Sequence, residues 1–492
     1  MIEKIKELTK DTIIYGISTI VGRFLGFLLI PFYTNAPSIT ESDFGVYSNI
    51  YAYMALLVIV FIYGMDAAFM KYYSVADPEK KKDNFSTPFL FVLITSLILA
   101  SVLYLGSGIV IPLMEIPEKY SSIYYYFILI LILDAIALIP FASLRLKRKA
   151  GQFTLIKLSN IILNISLNLI LILKFNMGIE AIFISNLVAS IFSFTALIPE
   201  ITLNFNFRID REIVIKMLKF GLPYLPGSLA AMMVQVIDRP IVQALTDSKT
   251  LGIYQANYKL GIFMMLFVSM FHYAWQPFFL NNAKEENAKE LFSRILTLFL
   301  LAASIIWIIL TLFVSDFASW EILNGKTIIG KKYLGGLYIV PAVLLGYLFH
   351  GLFVNFTAGI YIEEKTKYFP LVTGIGAAIN IAANFILIPS IGILGAALAT
   401  LFSYVTMSAG LFVISQKFYK IKYEYWKISK ILLLLITTCI IYYYIYFNYE
   451  FSFVIKFSIL FAFIAASFIL KIIEVSEIKH MARLLLRIKT AE

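Results

Sequence analysis

Long stretches in which every position is apolar alternate along this chain with short clusters of charge. The segment "FLFVLITSLILASVLYL", Phe89 to Leu105, has no polar face at either the helical or the strand period and reads as a helix with apolar surroundings on all sides. A membrane-spanning helix needs about 20 largely apolar residues. Fourteen runs meet that requirement, at about residues 12–34, 43–71, 85–112, 120–144, 152–174, 179–202, 213–245, 250–280, 290–314, 334–362, 366–388, 393–416, 428–447 and 452–471. Strands of an outer-membrane barrel would be short and alternating instead. The predicted fold is therefore an all-α integral membrane protein with 14 transmembrane helices. Composition agrees: 60% hydrophobic and 14% charged residues leave too little polar surface for a soluble chain.

Two further segments carry an apolar stripe on an otherwise charged helix. In "MIEKIKELTK" the stripe is Ile2, Ile5 and Leu8, and from Glu474 to Lys489 it is Ile478, Met481, Ala482 and Leu485. Both are predicted to lie on the membrane surface. The first is charged and is followed by a full span without a small-residue cleavage site, so it is not read as a cleavable signal. Most of the 41 lysines and arginines fall at the span ends that a cytoplasmic N-terminus places inside, whereas seven fall outside and three within spans. The expected orientation has both termini cytoplasmic. A basic inner face facing anionic lipid accounts for the net charge of +11 without a nucleic-acid partner. The single cysteine, Cys439, rules out an intrachain disulfide framework.

Two pieces of sequence recur. "FGVYSNIY" from Phe44 returns as "LGIYQANY" from Leu251, 207 positions on, and the spans before them open with aromatic-Gly pairs, Tyr15-Gly16 and Phe220-Gly221, at an offset of 205. "NISLNLILILKFNMGIEA" from Asn164 returns as "NIAANFILIPSIGILGAALA" from Asn380, with an offset of 216 at the asparagines and 214 at Gly178 and Gly392. Spans 1–6 are thus duplicated as spans 7–12. Six is even, so both copies enter from the same side, and the predicted plan is two six-helix lobes related by a parallel pseudo-two-fold axis along the membrane normal. The expected divisions are residues 1–203 for the N-lobe, 204–420 for the C-lobe, 421–473 for two additional helices and 474–492 for the amphipathic tail.

"FGLPYLPGSLAAMMVQVIDRPIV" (Phe220 to Val242), "LGIYQANYKLG", "AWQPFFL" (Ala274 to Leu280) and the two Asn-x-x-x-Asn hairpins together resemble the polysaccharide transporter branch of the multidrug/oligosaccharidyl-lipid/polysaccharide (MOP) exporter superfamily, which holds the Wzx-type O-antigen and capsule flippases. The resemblance implies a flippase carrying an undecaprenyl-pyrophosphate-linked oligosaccharide from the inner to the outer leaflet of a bacterial or archaeal cytoplasmic membrane by alternating access. It also implies polymerase and glycosyltransferase partners beside the lipid-linked substrate and membrane lipid.

Ionisable groups at membrane depth are functional candidates by default. Arg23 in span 1, Arg239 in span 7 and Lys259 in span 8 are the candidate pyrophosphate ligands, because a guanidinium grips phosphate oxygens in pairs and keeps its charge when partly dehydrated. Arg23 and Arg239 are expected on opposite walls of one cleft. The competing reading has them paired with a carboxylate or carbonyl, holding helices together. Asp66 and Asp134 are candidates for ion coupling, against structural pairing with Lys71 or Arg145. Asn164, Asn168, Asn380 and Asn384 recur at i, i+4, a spacing that serves interhelical hydrogen bonding or a polar cavity wall. Pro223, Pro226, Pro240 and Pro277 mark places where spans 7 and 8 can bend. The tyrosine runs Tyr124–Tyr126 and Tyr442–Tyr444 are expected in an interfacial belt, and no tyrosine is assigned to the substrate.

No catalytic residue, metal site or cofactor is predicted. A membrane polysaccharide polymerase would need acids or a metal in a sizeable extramembrane pocket, and the longest external connection, about residues 315–333, holds no His/Cys/Asp cluster. A Walker motif is absent. Within the superfamily, a cation-coupled drug or metabolite exporter and a lipid II flippase remain as alternatives. The basic character of the mid-span charges favours an anionic cargo over the cations that drug exporters carry.

Overall fold

The computed structural model describes Gly22 and residues 24–74, 77–323 and 325–472. The predicted surface helix at the N-terminus, Gly16, Arg23 and the amphipathic tail lie outside the described residues. Helices follow the apolar runs in order: α1 (Phe24–Asn35), α2 (Glu41–Ser74), α3 (Lys81–Leu105), α4 (Glu118–Leu146), α5 (Ala150–Lys174) and α6 (Glu180–Asn204). Next comes α7 in three pieces, Arg211–Gly221, Tyr224–Val236 and Asp238–Leu245. The rest are α8 (Ser248–Asn282), α9 (Ala288–Ala318), α10 (Lys331–Ile362), α11 (Tyr368–Ile391), α12 (Ile393–Phe418), α13 (Tyr425–Asn448) and α14 (Phe453–Ile469). A small antiparallel hairpin, β1 (Glu321–Leu323) and β2 (Lys326–Thr327), fills the connection between α9 and α10.

Among the described residues, 11 helices are long and apolar enough to cross a membrane. Three shorter apolar helices, α1, the middle piece of α7 and α14, stand where spans 1, 7 and 14 are predicted. The expectation of one continuous helix over residues 213–245 is corrected by the three pieces of α7, and proline explains the breaks. Pro223 lies between the first two pieces, and Pro240 has no N–H to offer the carbonyl of Val236, beside which the helix is interrupted at Ile237. The span predicted over 43–71 also turns, at Tyr63 and Gly64, whose φ values are 37° and 75°. A Cβ on Gly64 would stand 2.3 Å from the carbonyl oxygen of Gly221, so close approach as well as backbone conformation requires glycine here. In α5 the last turn, Ile170–Lys174, widens to a π-helix.

Within the first half α4 packs against α3 and α6, and α5 against α6; within the second half α10 packs against α8 and α12, and α11 against α12. The halves meet chiefly where α2 crosses the start of α8. There the two copies of the repeated octapeptide face each other. A Cβ on Gly45 would lie 1.7 Å from the Ser248 carbonyl oxygen, and one on Gly252 would lie 1.9 Å from that of Glu41. Small residues that let two backbones touch are the usual means of tight helix contact in lipid. Both helices are capped alike, α2 by Thr40 in a capping box with Asp43, and α8 by Asp247, whose carboxylate accepts from the Thr250 N–H at 2.7 Å.

At this end of the bundle the second half reaches over to the first. Asn35 Nδ2 donates to the Thr327 carbonyl at 2.7 Å, the Gly330 N–H to Thr34 Oγ1 at 3.0 Å, Lys332 Nζ to the Ile39 carbonyl at 2.7 Å and the Tyr333 hydroxyl to the Thr40 carbonyl at 3.2 Å. The hairpin end is thereby sealed. At the opposite end Glu200, 1% exposed, accepts from Lys147, Lys149 and Ser143, which fixes the α4–α5 turn on α6. A buried carboxylate with three donors is satisfied, and removing one partner is far more costly than forming the group. α13 and α14 pack on α9, with the Tyr443 hydroxyl donating to the Tyr338 carbonyl at 3.0 Å and the buried Lys456 paired with Asp316.

The tyrosine runs are split between surface and interior. Tyr125 and Tyr444 are exposed, whereas Tyr124 and Tyr442 are buried, and Tyr124 donates to the Leu103 carbonyl at 2.8 Å. Helical periodicity turns consecutive tyrosines to different faces, so a run cannot all lie in one belt.

Candidate functional site

A cavity of about 520 Å³ lies between the two halves, below the sealed end. The first half lines it with Phe27 and Tyr33 of α1, Tyr47 and Tyr51 of α2, Asn164 of α5 and Asn186 of α6. The second half supplies Gln235 and Arg239 of α7, Gln255, Tyr258 and Lys259 of α8, and Tyr347 of α10. The break at Ile237 positions Arg239 in the first turn of the last α7 piece, and Lys259 sits where α8 tightens into a 3₁₀ turn. Arg239 Nε is buried without a hydrogen-bond acceptor. Lys259 Nζ stands 5.7 Å from the centre of the Tyr47 ring, a cation–π contact across the halves. Neither cation is ion-paired among the described residues. Asp238, next to Arg239 in sequence and close enough to interact with its charge, forms no ion pair with it and accepts from the Tyr254 hydroxyl.

The other predicted residues fall into two groups. Asp134 is exposed on α4, where Ser190 Oγ donates to it at 2.8 Å; Asp66 is half-buried in the second segment of α2. Neither forms the ion pair that the structural reading required: Lys71 instead lies 4.0 Å over the Phe220 ring, and no bridge joins Asp134 to Arg145. The four asparagines form two copies of one device. Asn168 Nδ2 donates to the carbonyl and side-chain oxygens of Asn164 at 2.9 and 3.0 Å, and Asn384 Nδ2 donates likewise to Asn380 at 2.8 and 2.9 Å. In the first copy the Tyr33 hydroxyl completes the set by donating to Asn168 Oδ1 at 3.0 Å.

With this geometry in view, the chain was compared with known proteins. A family described as "Polysaccharide biosynthesis protein" matches residues 8–283, more than half of the sequence. The chain belongs to that family. No curated protein matches it. Among solved structures, this polysaccharide biosynthesis family protein is similar to the lipid II flippase MurJ in an inward closed conformation, at 19% identity over 93% of this chain and 98% of that one, with a TM-score of 0.69. It is also similar to a multidrug resistance MATE family transporter of the MOP superfamily in an inward-facing conformation, at 14% identity over 81% and 93%, TM-score 0.61. The Vibrio cholerae MATE transporter VcmN in its bent form matches at 13% identity over 84% and 96%, TM-score 0.53. At such identities the likeness is one of fold, and the fold is that of MOP superfamily transporters.

Sequence reasoning about this family member missed the aromatic wall. Tyr47 and Tyr51 of one octapeptide line the cavity, as does Tyr258 of the other, while Tyr254 is the partner of Asp238. The signal was present, since each copy carries tyrosine at i, i+4 and hence on one helix face. It also missed a set of buried polar atoms on three helices that pack together. Asp238, 1% exposed, keeps Oδ1 without a donor, and so do Asn384 Oδ1 and Thr400 Oγ1, with Asn380 Nδ2 a neighbouring donor that has no acceptor. The last piece of α7 packs on α11 and α12, which carry these residues. Carboxylate, amide and hydroxyl oxygens are the donors that suit a hard cation, and a carboxylate so buried is also a natural proton acceptor.

Proposed function

We propose that this protein is a flippase for an undecaprenyl-pyrophosphate-linked oligosaccharide, an O-antigen or capsule repeat or a similar unit. It works as 14 spans, two rocking six-helix lobes and two added helices, with both termini cytoplasmic and the hairpin end outside. Arg239 and Lys259 carry the reading: two cations that form no ion pair among the described residues, on the wall of a cavity shared by both halves. Both are half-buried, and cations partly withdrawn from water without an ion pair favour the arrival of an anion. Pyrophosphate oxygens meet both donors, amide and tyrosine side chains opposite suit the first sugar, and Arg23, outside the described residues, is kept as a third candidate ligand on the strength of the sequence alone. Polymerase and glycosyltransferases act before and after it. Family membership supports the polysaccharide pathway.

Transport against a gradient needs a coupling ion. Asp238, buried with one oxygen unpartnered on a helix piece that packs against α11 and α12, is the strongest place for a proton or a sodium ion in the second lobe. Asp134, and after it Asp66, are the candidates in the first. The decisive experiment is a reconstituted flipping assay with the pyrophosphate-linked oligosaccharide, with lipid II and a cationic drug in parallel. We expect oligosaccharide flipping to fall more than tenfold in Arg239→Ala and Lys259→Ala, less in Arg239→Lys, with folding intact. Drug transport by the wild type, or full flipping by both alanine variants, would overturn the proposal, and a preference for lipid II would replace the cargo.

A further inference from the structure

A second cavity, of about 490 Å³, lies on the far side of α1 from the central one. Residues Phe27, Leu29 and Tyr33 of α1 face the central cavity, whereas Leu28, Pro31 and Phe32 line the second, as successive positions turning by about 100° must. Leu173 at the end of α5 and Ile322 of the hairpin complete an apolar slot, and Leu28, Phe32, Leu173 and Ile322 are all exposed to the outside of the bundle. The slot is a built feature. Asn35 bonds Thr327 in both directions, Nδ2 to the carbonyl at 2.7 Å and the Thr327 N–H to Oδ1 at 3.3 Å, so the hairpin is held against α1.

One charge lines this slot, Lys326 of β2. The acid of the same hairpin is engaged elsewhere, since Glu321 Oε1 accepts from the Gly325 N–H at 2.6 Å, and Lys326 has no ion pair among the described residues. An apolar groove open to the side of a membrane helix, with a free ammonium at its interfacial end, is complementary to an acyl chain joined to a phosphate. We infer that the slot binds an anionic phospholipid of the leaflet at the hairpin end, with one acyl chain along Leu28, Phe32 and Leu173 and the phosphate on Lys326. The groove spans only Leu28 to Asn35 of α1, about 10 Å at 1.5 Å per residue, which is too short to house a long polyprenyl chain. The bound lipid covers the outer side of the helix whose inner side lines the transport cavity. This site is separate from the flippase reading and stands or falls without it.

The test uses the full chain, with a benzophenone side chain introduced at Phe32 or Ile322, in vesicles of phosphatidylcholine containing a minority of phosphatidylglycerol. Leu105, exposed at the same end of α3, serves as the bulk-lipid control. After irradiation the lipid adducts are identified by mass. At Phe32 and Ile322 the phosphatidylglycerol share should exceed that at Leu105 by about fivefold, the effect of one interfacial lysine. Lys326→Glu should return it to the Leu105 value and Lys326→Arg should keep it. Equal shares at all three positions, or no adduct at Phe32 and Ile322 while Leu105 reacts, would overturn the inference. So would displacement of phosphatidylglycerol by a trace of added polyprenyl phosphate, which would make the slot part of the cargo path.

Discussion

In the first half of the molecule Asn168 Oδ1 receives the Tyr33 hydroxyl, and the pair ties α1 to α5. At the offset of 205 set by Gly16 and Gly221, the residue in the second half that corresponds to Tyr33 is Asp238. A donor has been exchanged for an acceptor. Asn384 Oδ1 then has no donor, and neither has Asp238 Oδ1, although the asparagine pairs themselves are built alike to within 0.1 Å. One backbone device thus serves two ends: in the first half a closed packing contact, in the second buried acceptors left open to a proton, a cation or a water donor. Buried unpartnered acceptors cost about 1–3 kcal/mol each, which argues that the second arrangement is kept for use and not for stability.

The sharpest way to break the comparison is Asp238→Asn. An amide keeps the shape and an acceptor for the Tyr254 hydroxyl while removing a buried charge, so the variant should be at least as heat-stable as the wild type, while flipping driven by a sodium or proton gradient should fall more than a hundredfold. Gradient dependence that survives would show the two halves to be equivalent after all. Next in size is the glycine crossing. Because each Cβ would meet backbone at under 2 Å, Gly45→Ala and Gly252→Ala should each cost about 1–3 kcal/mol and to similar degrees. Part of that cost should appear as opening of the hairpin end, read as faster labelling of a cysteine placed at Tyr47 by an impermeant maleimide from that side. Tyr33→Phe should cost about 1 kcal/mol by leaving Asn168 Oδ1 alone, seen as a lower melting temperature with unchanged ion dependence. Smallest is Asn164→Ala, which still leaves Asn168 Nδ2 the carbonyl at position 164, and a loss below 1 kcal/mol is expected.

Most of the architecture was legible because lipid makes each span announce itself as an apolar run, and duplication repeats its landmarks. Eleven runs became helices of full length, and the octapeptides that matched in sequence turned out to touch in space. The three pieces of α7 were less legible: proline signals a bend, but which of Pro223, Pro226 and Pro240 interrupts the helix depends on what the freed carbonyls meet. Arg239 and Lys259 were found because charge in a span is rare. Asp238 was passed over because its significance lies in an absent hydrogen bond, and partners across α7, α11 and α12 are set by packing that no local pattern records. The cavity tyrosines were hidden among 31, most of which face other helices or lipid.

The repeat carries a record of its own history in α5. Between the second asparagine and the glycine of the hairpin the first copy, Asn168 to Gly178, is two residues longer than the second, Asn384 to Gly392, and this is why the offset drifts from 216 to 214. The widened turn Ile170–Lys174 stands inside that interval and absorbs one of the two without breaking the helix, and the other falls in the non-helical stretch 175–178. The two copies thus differ in length between landmarks they share, and the difference is taken up after the asparagines, where it leaves their shared helix face intact.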